Sequence, residues 1–221
     1  MDESWNISGL ILEGICGAGK STVFREIQKS DRFTQRPFSS AILLSEHHTQ
    51  RVLERKEREE GLLVSDNLSL LDQHCSYLED LNARLDQMPW CENGRTNMCL
   101  LYLFERFHFT HVYHYADMSW SAVQEIDARL ARLNCKVCLL IIDESVLVDR
   151  IIHSRDAAWR EYLSRYGETE EEIVRHHVLQ QETLLDLCSQ SKLETLALDS
   201  SNVDVQDTVA QVIDFWGVDD G

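Results

Sequence analysis

The chain has 221 residues, 43% of them hydrophobic, and a formal net charge of −17. That length fits one generous domain with a substantial core, while so acidic a composition argues against broad binding to nucleic acid polymers or anionic membranes. Seven cysteines at irregular spacing argue against a disulfide framework, and the lack of a membrane-length apolar run or a basic, apolar leader makes a cytoplasmic protein the expectation.

The first element is the apolar run Gly9–Ile15, which reads as a strand and passes into "LILEGICGAGKST", residues 10 to 22. From Gly14 the spacing is G-x-x-x-x-G-K-S, with Gly14, Gly19, Lys20 and Ser21 in the fixed positions. Helical periodicity resumes with Val23, Phe24 and Ile27. Glycines at such a turn let successive N–H groups point inward, and the helix start adds the positive end of its dipole. The expected nucleotide cradle is Gly14, Gly17, Ala18, Gly19, Lys20, Ser21 and Thr22. In it Lys20 reaches the terminal phosphates and Ser21 ligates Mg²⁺. An incidental glycine turn is the bland reading, but strand, spacing and helix all agree on the cradle.

A second strand-like run, Ala41–Ser45, ends at Glu46. Leu68, Leu71, Cys75, Leu78, Leu81 and Leu85 then recur at helical spacing. "PWCENGRTN", Pro89–Asn97, is the clearest loop, and a third strand, Cys99–Phe104, leads into Glu105 and Arg106. His108, His111 and His114 follow at intervals of three, where aromatic and apolar neighbours favour packing over metal binding. The fourth strand, Lys136–Ile142, lies in "NCKVCLLIID", which holds the only C-x-x-C, Cys135 and Cys138. An odd separation on a strand sends the two thiols to opposite faces, so they read as core residues and not as a zinc site. "TEEE" at Thr169–Glu172 has the pattern of a capping box opening a helix towards Leu187, and Thr195–Leu198 is a fifth strand. Strands alternating with helices predict a three-layer α/β domain around a parallel five-stranded sheet, a single unit over 1–221.

Many machines share such a cradle. The guanine-reading N-K-x-D and the L-S-G-G-Q signature are both absent from the chain. Two sites for the metal-side carboxylate stay open: "LLIIDE", with Asp143 and Glu144 serving an ATPase, or "LYLFER", with Glu105 and Arg106. A nucleotide-binding regulator without turnover is a third reading.

Four segments in order then resemble the P-loop deoxyribonucleoside kinase and thymidylate kinase families: "EGICGAGKST", "LLSEHH", "LFERFHFTH" and "DRIIHSRDAAWREYLSRYG". The resemblance implies an ATP- and Mg²⁺-dependent kinase with a nucleoside or nucleoside monophosphate as acceptor, working as a homodimer. It implies Glu46 as general base, and a strand-end carboxylate does face the ligand crevice of an open α/β sheet. It makes Glu105 a Mg²⁺ ligand with Ser21, and Arg106 the group that orients the acceptor. It places an arginine-bearing lid at about 150–168, with Arg155 the first choice for clamping the phosphoryl group and Arg150 the second. Arg160 and Arg165 follow in the same segment. Gln73 and His111 are the expected acceptor-reading residues, Gln73 because an amide pairs with a base edge. His111 stands where the nucleoside kinases often carry an aspartate, and Ser45 stands where thymidylate kinases carry an arginine. The latter departure tilts the acceptor towards a hydroxyl.

Overall fold

The computed structural model describes residues 7–35, 40–85, 87, 100–115, 117–154 and 156–217. The loop 89–97 and Arg155 lie outside them. Among the described residues β1 (Ile7–Glu13), β2 (Ser40–Leu44), β3 (Leu100–Glu105), β4 (Cys135–Ile141) and β5 (Glu194–Asp199) form one sheet in the order β2-β3-β1-β4-β5, every pair parallel. β3 is buried at every position and β1 at all but one, so the three central strands read as continuous apolar runs, as strands covered on both faces must. Gly9 in β1 is small for a specific reason: a Cβ there would sit 1.9 Å from Cζ of Tyr102. The Tyr102 ring crosses β1 at that point, and its hydroxyl donates to the Leu133 carbonyl at 3.2 Å.

The helices follow the strands. α1 (Lys20–Ile27) and α11 (Val205–Trp216) pack on each other over β1, while α7 (Trp120–Arg132) and α10 (Glu170–Gln190) cover β4. The long α5 (Val64–Leu85) lies against α7 and buries Leu71, Cys75, Leu78 and Leu85, the stripe its periodicity predicts. α10 starts with the expected capping box, Thr169 and Glu172 each bonding the other's backbone. α6 (His108–His114) packs between α7 and α10. The short elements are α2 (Asp31–Thr34), α3 (Glu46–Thr49), a 3₁₀ turn at Arg51–Leu53, α4 (Glu54–Glu59), α8 (Glu144–Leu147), a π-helical turn at Val148–His153, and α9 (Ala157–Leu163). Cys135 and Cys138 are both buried on β4; the first thiol meets Tyr102 and the second Cys188 of α10, two different neighbourhoods. Among the described residues no helix is long and apolar enough to cross a membrane.

Candidate functional site

The carboxy ends of the central strands open on a cavity of about 850 Å³, the place where open parallel sheets present ligand-binding groups. One side of it is the turn joining β1 to α1. Gly14, Gly17 and Gly19 have φ of 143°, 80° and 90°, angles that side-chain-bearing residues rarely adopt. At Gly14 a Cβ would also stand 2.5 Å from the Leu140 carbonyl oxygen of β4. Gly19 opens α1 without a side-chain cap, and the Thr22 N–H already bonds the Gly19 carbonyl, which leaves the N–H groups of Lys20 and Ser21 for an anion. The Ala18 carbonyl is turned the other way and accepts from Ser200 Oγ at 2.9 Å.

Lys20 is only 4% exposed, and its ammonium donates to the Ile15 carbonyl of its own loop at 2.7 Å. Burial, and after it the Arg106 guanidinium, lower its pKa to about 7, although Cys16, Glu105 and Glu46 pull the other way. Ser21, one residue on, donates its hydroxyl to Glu105 Oε1. Glu105 is buried at the end of β3, directly beside β1 in the sheet. A hydroxyl and a carboxylate in contact are two hard oxygen donors, and this pair fits a Mg²⁺ ion. Thr22 lines the cavity beyond them.

Arg106 follows Glu105 with φ of 61°, a left-handed conformation that a non-glycine residue holds only when its surroundings fix it. Its backbone N–H donates to the Leu12 carbonyl at 2.9 Å. The next residues are fixed by Glu13, a fully buried carboxylate at the end of β1. Glu13 accepts from the Phe107 N–H at 2.8 Å and from the Thr110 hydroxyl at 2.6 Å. Burial raises the Glu13 pKa, against the lowering effect of those same bonds. Held this way, the Arg106 side chain donates from Nε to Glu46 Oε2 at 3.0 Å and from Nη1 to the Tyr113 hydroxyl.

Glu46 begins α3, which is pinned to β3 by the Thr49 hydroxyl donating to the Glu105 carbonyl at 2.7 Å. Its second oxygen accepts from Arg51 Nη1 at 3.4 Å. Burial pushes the Glu46 carboxyl up, but Arg106, Lys20 and Arg51 together hold it below the usual carboxylate range. Lys20, Ser21, Glu46, Glu105 and Arg106 are thus gathered around one point, on two helix starts and one strand end.

Other expected residues are placed elsewhere. Gln73 is exposed on α5, its amide donating to Ser69 Oγ at 3.1 Å, and it does not border the cavity. His111 is fully buried, with Nε2 2.9 Å from the Thr49 carbonyl and Nδ1 2.9 Å from Asn67 Oδ1. Burial lowers its pKa to about 4; its two bonds brace α6 against α3 and α5, and it does not border the cavity. Arg150 does line the cavity, but its guanidinium donates to the Ser200 and Ser201 carbonyls, at 2.8 and 2.5 Å, on the loop after β5. Asp143 caps α8 by accepting from the Ser145 N–H at 2.8 Å. Neither it nor Glu144 borders the cavity that holds Lys20 and Ser21.

The cavity also has residues that the sequence reading passed over. Gln50, Arg51, Glu54 and Tyr113 stand on the α3–α4 and α6 side, beside His114, and Trp159, Tyr162 and Tyr166 form a wall from α9 onward. The spacing of those three aromatics, i, i+3 and i+7, was a readable helix-face signal. It does not say which neighbour the face will meet.

No family model and no curated protein matches the chain. Solved structures do. YorR of Bacillus subtilis, solved in complex with phosphorylated GDP, superposes with a TM-score of 0.58 over 96% of each chain at 16% identity. Thymidylate kinase from Ehrlichia chaffeensis gives 0.53 over 95% of this chain and 98% of its own, at 12% identity. Shikimate kinase from Acinetobacter baumannii, in complex with shikimate, gives 0.52 over 94% and 91%, at 13% identity. At such identities the likeness establishes the fold, and the fold is the α/β fold of P-loop kinases.

Proposed function

We propose that this chain is a phosphotransferase that moves the γ-phosphoryl group of ATP to a nucleoside or nucleoside monophosphate. One observation carries the reading. Glu46, ionised and clamped by Arg106, faces the same cavity as Lys20, with the Ser21–Glu105 pair beside it. Phosphoryl transfer asks for a phosphate cradle, charge neutralisation and a group to take the acceptor proton, and each has a residue here. The backbone from Gly14 to Thr22 holds the phosphates, and the Lys20 ammonium leaves the Ile15 carbonyl to meet them. Mg²⁺, held by Ser21 and Glu105, would supply charge neutralisation when bound. The carboxylate of Glu46 accepts the proton of the attacking hydroxyl, while Arg106 fixes that carboxylate and the acceptor oxygen. Hydrolysis centred on Asp143 finds no support in the placement of that residue at the α8 cap.

The test is transfer of labelled γ-phosphate from ATP to a panel of nucleosides and nucleoside monophosphates. Transfer to a panel member, lost in Lys20→Ala, is the expected result. ATP hydrolysis with no acceptor phosphorylated would replace this reading with an ATPase.

A further inference from the structure

The far side of the cavity carries a built recognition surface that the phosphoryl-transfer chemistry does not use. Trp159 and Tyr162 are stacked with centroids 5.0 Å apart at 20°. Tyr166 stacks on His176 at 4.3 Å and 19°, and Trp159, Tyr162 and Tyr166 all line the cavity. The wall is held in place by the Trp159 indole N–H, which donates to the Ile151 carbonyl at 2.7 Å. It shares the cavity with Glu46 and Glu54, and α10 packs on α6, the helix of Tyr113 and His114, which places the wall on the acceptor side.

Two polar groups one helical turn apart on α10, His177 and Gln180, also line the cavity. His177 is 2% exposed, and its Nδ1 is engaged with the Ile173 carbonyl at 2.8 Å. That bond fixes the proton on Nδ1 and leaves Nε2 as an acceptor with no partner among the described residues. Burial lowers the pKa of this imidazole, which keeps it neutral. The half-buried Gln180 amide, with a donor and an acceptor, has no partner among the described residues either. Arg106 faces Glu46, and Arg51 faces Glu46 and Glu54. The Arg165 guanidinium lies over the Tyr162 ring at 4.0 Å from its centroid, so the wall itself carries a cation.

We propose that Trp159, Tyr162 and Tyr166, together with His177 and Gln180, form the acceptor subsite and take a molecule carrying a flat conjugated ring with hydrogen-bonding edges. Gln180 thereby performs the edge reading that the sequence assigned to Gln73. Calling the ligand an acceptor rests on the phosphotransferase reading; its binding does not.

The experiment separates the two. Adenosine, guanosine, cytidine and thymidine are titrated calorimetrically into the full chain with a non-hydrolysable ATP analogue present. Shikimate serves as the hydroxyl compound without an aromatic ring. At least one nucleoside binds the wild type; its affinity falls roughly tenfold or more in Tyr162→Leu and in Gln180→Leu, the scale of one lost aromatic stack or unpaired amide. Tyr162→Phe keeps the ring and stays close to wild type. Equal affinity in both leucine variants, binding of shikimate alone, or no nucleoside binding would overturn the proposal, as would a parallel loss of affinity for the ATP analogue. If the affinities follow this pattern but no phosphate is transferred, the subsite stands and the kinase reading falls. If transfer occurs and both leucine variants bind as well as wild type, the subsite falls and the kinase reading stands.

Discussion

Replacing Glu46 by glutamine keeps the shape of the side chain and its reach to Arg106, but removes both its charge and its ability to hold a proton. The structure gives the size of each effect. The Arg106 side chain is 12% exposed and that of Glu46 24%, so their bond is of the charge-assisted kind, worth about 1.5–3 kcal/mol, and an amide retains about 1 of it. Arg51 keeps its partner Glu54 at 2.6 Å and adds little to the loss. A net cost of about 1–2 kcal/mol lowers the melting temperature of a chain this size by about 2–8 °C. Loss of the base slows the chemical step by roughly 10²–10⁴-fold, which is about 3–5 kcal/mol of barrier. The kinetic effect therefore exceeds the structural one, while ATP affinity stays near wild type because the cradle is untouched. Single-turnover transfer of labelled phosphate and a thermal melt measure the two separately. The folded-state pKa of Glu46 is depressed, so the stability contributed by its ion pair is complete above the ordinary carboxylate value and disappears as pH falls through the lowered one. The wild-type rate should lose its base over the same acidic range. Unchanged transfer to a hydroxyl acceptor in Glu46→Gln, with the melt shifted as calculated, would refute the base assignment.

Lys20, with its pKa lowered to about 7, is largely neutral at pH 8 in the empty cradle and regains its proton when phosphates arrive. Calorimetry in buffers of different ionisation enthalpy should therefore show proton uptake on ATP binding at pH 8 and none in Lys20→Ala; uptake that persists in the variant would assign it to another group. Because the native lysine sheds its proton between about 7 and its ordinary 10.5 while the unfolded one does not, stability of the empty protein should rise with pH through that window. Glu105→Gln should cripple transfer while Asp143→Asn leaves most of it, since Ser21 bonds Glu105 and Asp143 only caps a helix; the reverse ranking in a steady-state assay would restore the ATPase. Gly14→Ala drives a Cβ to 2.5 Å from a backbone carbonyl and should lower the melting temperature by several degrees with loss of ATP binding, the strained backbone alone being of order 1–3 kcal/mol. A melt equal to wild type would show that the turn is more yielding than its geometry.

The parts of the site that depend on local spacing were legible. Gly14, Gly19, Lys20 and Ser21 shape the turn from β1 to α1 as their spacing predicts, because its geometry is written in consecutive backbone angles. The Thr169–Glu172 box marked its helix for the same reason. Glu105, Arg106 and Glu46 were readable as strand-end residues. What could not be read is which helix face meets which neighbour. Gln73 and Gln180 are both amides on amphipathic helices, and periodicity gives each the same credentials. Only the packing of α10 on α6 puts Gln180 at the cavity, and only the outward face of α5 leaves Gln73 exposed. His111 was misjudged because its partners Thr49 and Asn67 lie 62 and 44 positions away. The left-handed turn at Arg106 had no glycine to announce it; Glu13 and Glu46 impose it from a distance.

The hydrogen bond from Ser200 to Ala18 joins positions 182 apart in the chain. During synthesis the glycine loop leaves the ribosome early, well ahead of the serine that braces it and of α11, which lies on α1. A nascent chain stopped before Ser200 carries the whole glycine loop but lacks this brace. On the phosphotransferase reading, nucleotide binding should then require the finished sheet. In a series of ribosome-stalled chains of increasing length, protection by ATP against protease should begin only when α11 has emerged.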